Sequence, residues 1–273
     1  MPIISDEKSA VYFETAGTGE PLVLIPGFGS GAWSWVWQAE LADLFKVITF
    51  DPRGIGKSLS AEENGFGNLS IETFAKDVLG LLDALDIEKA HILGASFGGF
   101  VALEFALRYP ERLRKLILAC TTAGGKNHVS PGIDILRSFT RKPEIPLGQQ
   151  IRHFFRPAFT ERFNAEQADV VEKVCRLREE NDVSDSTYMA QLSAAFSFDV
   201  EARLGEINHK TLVISGDHDN LVPMQNTINL AAKLPNAELR IIQNGSHMIF
   251  VENADEFNLI VSTFVRSDLI TRK

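Results

Sequence analysis

The chain has 273 residues, 45% hydrophobic and 23% charged, which fits an ordinary globular protein and excludes a disordered one. A formal net charge of −9 argues against nucleic acid or an anionic membrane as partner, because both bind through a positive face. Two cysteines, Cys120 and Cys175, are too few to staple a chain able to bury a large core, so reduced thiols and a cytoplasmic address are expected.

The opening MPIISDEKSA holds two acids and no apolar stretch of signal-peptide length, and no run of about 18 apolar residues occurs further on. Neither export nor a membrane span is therefore expected. Residues 5–16 read as an antiparallel hairpin at a sheet edge. PLVLIP (21–26), KVITF (46–50), AHILG (90–94), KLILAC (115–120), KTLVIS (210–215) and AELRII (237–242) read as strands, each bounded by Gly, Pro, Asp or Asn. Several are apolar on both parities, the pattern of parallel strands covered on both faces. Helical patterns lie between them. The first covers 70–86, with Ser70 as cap and Ile71, Phe74, Val78, Leu81, Leu82 and Leu85 recurring every three to four residues. A second runs from Phe97 to Tyr109 and stops at Pro110, and a last one covers about 253–267. Strands alternating with helices predict an α/β fold with a mostly parallel sheet.

The alternation breaks after Ala123 and resumes at about Glu206. Residues 124–205 are expected to be a helical cap inserted between two core segments, 1–123 and 206–273, above the strands' C-terminal ends. Most of its phenylalanines (Phe139, Phe154, Phe155, Phe159, Phe163, Phe196 and Phe198) are expected to form the cap's own core, a few lining a substrate cavity. The three tryptophans at 33, 35 and 37 are expected to be packing.

Chemistry concentrates at three places. Gly94-Ala95-Ser96-Phe97-Gly98 follows a strand and opens a helix, the context of a G-x-S-x-G elbow that lifts a serine hydroxyl above the sheet at the positive end of a helix. A serine needs a base. Gly216-Asp217-His218-Asp219 follows one late strand and offers two carboxylates, while Gln243-Asn244-Gly245-Ser246-His247 follows the next and offers a histidine. The order serine, acid, histidine matches the elbow template, and Ser96 with His247 stand out as nucleophile and base. Two competing motifs fail. Gly56-Lys57-Ser58 resembles a P-loop, but Asp51 stands where its first glycine belongs. Gly27-x-Gly29-x-x-Ala32 followed by Asp51 fits a dinucleotide fingerprint, yet Trp33, Trp35 and Trp37 crowd the helix that must pack on a pyrophosphate turn.

With these motifs the sequence resembles the α/β-hydrolase superfamily, in particular its small esterases, enol-lactonases and carbon–carbon bond hydrolases. The resemblance covers nearly the whole chain outside the cap, including Pro26-Gly27-Phe28-Gly29, the turn from Asp51 to Ser58, the elbow, and the tail from His247 through Glu252 to Phe264. It implies a late motif in which Gly216, Asp219 and Pro223 match, so Asp219 is the acid and Asp217 a loop residue. It also implies that the backbone N–H groups of Phe28 and Phe97 hold an oxyanion, with no cofactor and no metal. Pro26 departs from the family, where many members have His; the task expected of that loop falls to backbone instead. Hydrolysis of a small ester or lactone through an acyl-enzyme is the first expectation. Hydrolytic cleavage of a vinylogous diketone acid is the alternative, ranked second because such enzymes often carry Asn where this chain has Ala95. A non-catalytic small-molecule receptor and a dehydrogenase are the other classes weighed, and a homo-oligomer stays open. Finally, residues 126–162 reverse the sign of the chain, with Lys126, Arg137, Arg141, Lys142, Arg152, Arg156 and Arg162 against Asp134, Glu144 and Glu161. Arg152 and Arg156, one helical turn apart and flanking Phe154 and Phe155, are the expected contacts for an anionic substrate.

Overall fold

The computed structural model describes residues 3–6, 9–60, 69–140 and 144–270. Among them nine strands occur: β1 (Ile3–Asp6), β2 (Ser9–Ala16), β3 (Pro21–Ile25), β4 (Lys46–Phe50), β5 (Leu59–Ser60), β6 (Ala90–Ala95), β7 (Leu113–Ala119), β8 (Thr211–Gly216) and β9 (Ala237–Ile242). They form one sheet in the order β1-β2-β4-β3-β6-β7-β8-β9, with β5 on β2. The expected hairpin is β1 with β2, antiparallel at one edge; β2 also meets β4 antiparallel, and every pairing from β4 to β9 is parallel. β7 begins two residues before the expected start, where Leu113 finds Ala90, and ends at Ala119 because Cys120 turns to φ +50°.

Parity explains the layers. Val23, Ile25, Ile92, Leu116, Leu118 and Val213 point to one face and pack with α1 (Ile71–Ala84) and α2 (Phe97–Arg108). Leu22, Leu24, Leu93, Ile117, Leu212 and Ile214 point to the other and pack with Trp35, Phe257 and Val261. Trp35 belongs to a 3₁₀ run, Ala32–Asp43, and lies 5.2 Å from the Phe250 ring, as a packing residue should. The Ser70 hydroxyl accepts from Thr73 N at 3.3 Å and starts α1 as its pattern predicts. Between β7 and β8 lie α3 (Ile133–Ser138), α4 (Leu147–Phe155), α5 (Glu161–Glu166), α6 (Ala168–Glu180) and α7 (Asp185–Phe196). After β8 come α8 (Met224–Lys233), α9 (Ile249–Glu252) and α10 (Ala254–Ile270). No helix among the described residues is long and apolar enough to cross a membrane.

The strand order places a switch point. The chain leaves β3 for β4 on one side and returns to β6 on the other, so the loops after β3 and β6 open over a crevice. Ile25 pairs with Gly94, which brings Gly27 beside Ser96.

At the opposite end of the sheet, His91 is 3% exposed and bonds Glu20 at 3.2 Å. Burial holds its imidazole below the ordinary 6.5, against the pull of Glu20. Protonation therefore favours the unfolded chain: the contribution of His91 is complete above about pH 6.5 and is lost as pH falls through the lower folded value. Melting curves between pH 7.5 and 5 should show a fall in stability that His91→Gln reduces. Equal slopes for both proteins would remove His91 from that role.

Candidate active site

Ser96 sits between β6 and α2 with φ +53° and ψ −118°, a sparsely populated conformation that costs on the order of 1–3 kcal/mol and must be held by its surroundings. Three hydrogen bonds do so: Ser96 N donates to Ala119 O (2.8 Å), while Gly99 N and the Thr121 hydroxyl donate to Ser96 O (2.9 and 2.8 Å). The glycines follow from sterics. A Cβ on Gly94 would stand 2.2 Å from Gly98 O, and one on Gly98 would stand 2.3 Å from Ile25 O. That close approach brings the N-terminus of α2 against the loop after β3.

The loop itself is a turn, with Ser30 N donating to Gly27 O at 3.1 Å and Gly29 third at φ +62°, as a type II turn requires. Phe28 N–H and Phe97 N–H make no hydrogen bond outside helix α2 among the described residues. Phe97 follows Ser96 directly, and Phe28 follows Gly27, whose Cβ would stand 3.5 Å from Ser96 Cβ, so both N–H groups belong to the two segments that meet at Ser96.

On the far side, Gly216 and Gly245 come so close that a Cβ on Gly216 would stand 2.1 Å from Gly245 O, which ties the loops after β8 and β9 together. His218 N donates to Gly245 O at 2.8 Å in the same contact. Within it, His247 Nδ1 lies 2.8 Å from Asp219 Oδ2 and 3.0 Å from Oδ1, both side chains buried. Asp219 Oδ1 also accepts from Leu221 N (2.9 Å) and Val222 N (2.8 Å). A carboxylate fed by two backbone donors accepts from Nδ1–H, which leaves Nε2 as the imidazole's acceptor. Asp217 instead bonds the exposed His218 at 2.7 Å. Ser96, after β6, and His247, after β9, reach the same edge of the sheet but are not hydrogen-bonded to each other.

Cys120 carries no signal in the sequence, yet its sulfur, an Asp219 oxygen and a His247 nitrogen lie within 4.8 Å of one another. Burial first, and then the Asp219 carboxylate, push its thiol well above the usual range. A protonated thiol beside an already bonded carboxylate–imidazole pair suits neither metal binding nor nucleophilic attack. Asp51 is also absorbed by structure: Oδ1 accepts from Ala32 N (2.8 Å) and Oδ2 from Lys57 N (2.9 Å), so it serves the turn and not a ribose.

Arg152 and Arg156 are not brought to Ser96. Arg152 pairs with Glu172 and lies 3.7 Å from Glu179, and Arg156 is exposed; both line an outer groove that includes none of Ser96, Asp219 and His247. The remaining cations are no better placed where described: Arg137 and Arg162 pair with Asp134 and Glu166, and Arg141 and Lys142 lie outside the described residues. Sequence reasoning missed Arg178 in the last turn of α6. It is 4% exposed, pairs with Asp182 at 2.8 Å, and its Nη2 comes within 2.9 Å of where a Cβ on Gly29 would stand. A cavity of about 40 Å³ lies here, lined by Phe28, Phe154, Phe155, Gln150, Arg178 and Tyr188 among others. Of the phenylalanines, Phe155 and Phe159 are buried and Phe139 stacks edge-on to Phe154 at 5.0 Å, but Phe196 is 72% exposed and belongs to no core.

The model of the α/β hydrolase fold family matches residues 20–254. The chain is 33% identical to the 2-hydroxy-6-oxo-6-phenylhexa-2,4-dienoate hydrolase of Comamonas testosteroni, covering 94% of this chain and 91% of that one. It is 34% identical to a 2-hydroxy-6-oxononadienedioate/2-hydroxy-6-oxononatrienedioate hydrolase of Paraburkholderia xenovorans (strain LB400), covering 95% and 92%. Among solved structures, the enol-lactonase from Burkholderia xenovorans LB400 superposes with a TM-score of 0.84 at 26% identity, covering 97% of this chain and 99% of that one. With the elbow, the sheet order and the matched span in agreement, the chain belongs to the α/β hydrolase fold family and is a hydrolase.

Proposed function

We propose that the chain is a serine hydrolase that cleaves a carbon–carbon bond in a vinylogous diketone acid, with helices α3 to α7 acting as its cap. The observation that carries this reading is Arg178, a buried guanidinium beside the oxyanion loop, where it suits the carboxylate of such an acid. Relatives named for 2-hydroxy-6-oxo-dienoates, similar over more than nine-tenths of the chain, support carbon–carbon cleavage above the ester or lactone reaction that Ala95 favours.

In the reaction, Ser96 Oγ bonds the ketone carbon as its proton passes to His247 Nε2, and Asp219 stabilises the imidazolium. Phe28 and Phe97 N–H hold the resulting oxyanion. The enol first ketonises, its hydroxyl proton passing to the carbon next to the ketone that is attacked; collapse of the adduct then breaks the bond to that carbon, and the electron pair is spread along the conjugated chain onto the second ketone. The proton on His247 goes to that carbon fragment. A water deprotonated by the same histidine then releases the acyl group as a carboxylic acid. The 40 Å³ cavity beside Arg178 is lined by Phe28 and by residues of α4, α6 and α7, and includes none of Ser96, Asp219 and His247.

The test is a matched pair, a 2-hydroxy-6-oxo-dienoate and its methyl ester, on wild type and Arg178→Gln. Loss of the cation should lower kcat/KM for the acid about 100-fold and leave the methyl ester nearly unchanged. Equal losses on both would make Arg178 a structural residue and leave the carboxylate unread.

A further inference from the structure

Helix α7 buries Tyr188 and Ala194 as expected but departs from the ordinary pattern at four other positions. It exposes Met189 (58%) and Phe196 (72%), yet it buries Thr187 and Gln191, each 1% exposed. Hiding an amide while showing a phenylalanine costs free energy unless the amide is bonded to something that matters. Gln191 Oε1 accepts from Gly29 N at 2.8 Å, a contact spanning 162 positions of sequence. Gly29 N is one peptide from Phe28 N, inside the same type II turn. Tyr188, one turn before Gln191, sets its ring edge-on to Phe28 with centroids 4.7 Å apart, and Thr187 touches the turn at Gly54. The buried face of α7 thus meets the loop that carries one of the two oxyanion donors.

We infer that Gln191 is a positioning residue of the oxyanion loop: its carbonyl oxygen anchors Gly29 N–H, in the peptide after Phe28, and so holds in place the turn that carries Phe28 N–H. This deepens the proposed function and rests on Ser96 as nucleophile and Phe28 N–H as donor. A turn with Gly at a positive φ is free to rotate that peptide; the glutamine removes the freedom. Because the bond comes from α7, the oxyanion hole is complete only when this helix is seated.

Three variants separate positioning from packing. Gln191→Met keeps the volume and loses the acceptor, Gln191→Asn keeps the amide one methylene too short, and Gln191→Glu keeps an acceptor at the same reach. Misaligning one oxyanion donor should lower kcat about 100-fold in the Met and Asn variants, with KM within about threefold of wild type. The rate constant for phosphonylation of Ser96 by a fluorophosphonate, which also places an oxygen in the hole, should fall in parallel. Gln191→Glu should recover about tenfold or more over Met in both readouts. Should Met misfold, Asn carries the same comparison. The inference is overturned if Met and Asn match wild type, if Glu is no better than they are, or if only KM moves. A wild type that reacts with the phosphonate but not with the dienoate refutes the carbon–carbon reading and leaves this one standing. Inertness toward both refutes the two together.

Discussion

Ser96→Ala should lower kcat about a millionfold and leave the fold intact. The size follows from the proposed mechanism, in which three side chains act as a unit: without the hydroxyl, the His247–Asp219 pair would have no proton to receive and the oxyanion donors no adduct to hold. Stability should hardly move. Ser96 is half-buried, its Oγ makes no hydrogen bond within the described residues, and the bonds that secure the turn use its backbone N and O. Alanine therefore inherits the same strained φ, with a melting temperature within about 2 °C of wild type. Residual turnover above about one part in a thousand would place the nucleophile elsewhere.

Asp219→Asn should cost about 10⁴-fold in kcat, through the tautomer of His247. Leu221 N–H and Val222 N–H both donate to Oδ1, so an asparagine keeps its oxygen there and turns its NH₂ toward His247 Nδ1. Nδ1 must then accept, Nε2 carries the proton, and the base is lost. Asp217→Asn changes only a contact with exposed His218, and kcat should stay close to wild type. A larger loss at Asp217 than at Asp219 would move the acid by two residues. Both variants should be checked by thermal melting, since Asp219 is buried and Asp217 is not.

What was legible in the sequence is whatever local sterics or burial forces. Strands covered on both faces must be apolar on both parities, which is why β3, β6 and β8 are readable residue by residue. The elbow is readable because only glycine fits where Gly94 and Gly98 meet backbone oxygens. Other contributions depend on which way a helix faces, and short spacing does not say. In α4 and at its C-cap, Ile151 and Phe155 turn inward while Arg152 and Arg156, one position further round, turn out toward Glu172 and solvent. The cation that does reach the turn at Gly29, Arg178, sits in a stretch where four of five residues are charged (Arg176 to Glu180) and which looks like a solvated helix end. Gln191 had one readable signal, a polar residue within the otherwise apolar stretch Met189-Ala190-Gln191-Leu192, whose meaning depends on knowing the buried face of α7. Cys120 is placed beside Asp219 by the ends of β7 and β8, a relation of topology and not of spacing.

The central claim is tested most directly by the ratio of kcat/KM for 2-hydroxy-6-oxo-6-phenylhexa-2,4-dienoate to that for p-nitrophenyl acetate, measured on the same wild-type preparation. Cleavage at the ketone, with benzoate as product and a ratio of about 100 or more, is the predicted result, and Ser96→Ala should abolish it. Rapid turnover of the acetate with the dienoate left intact would contradict the account and return the chain to the esterases.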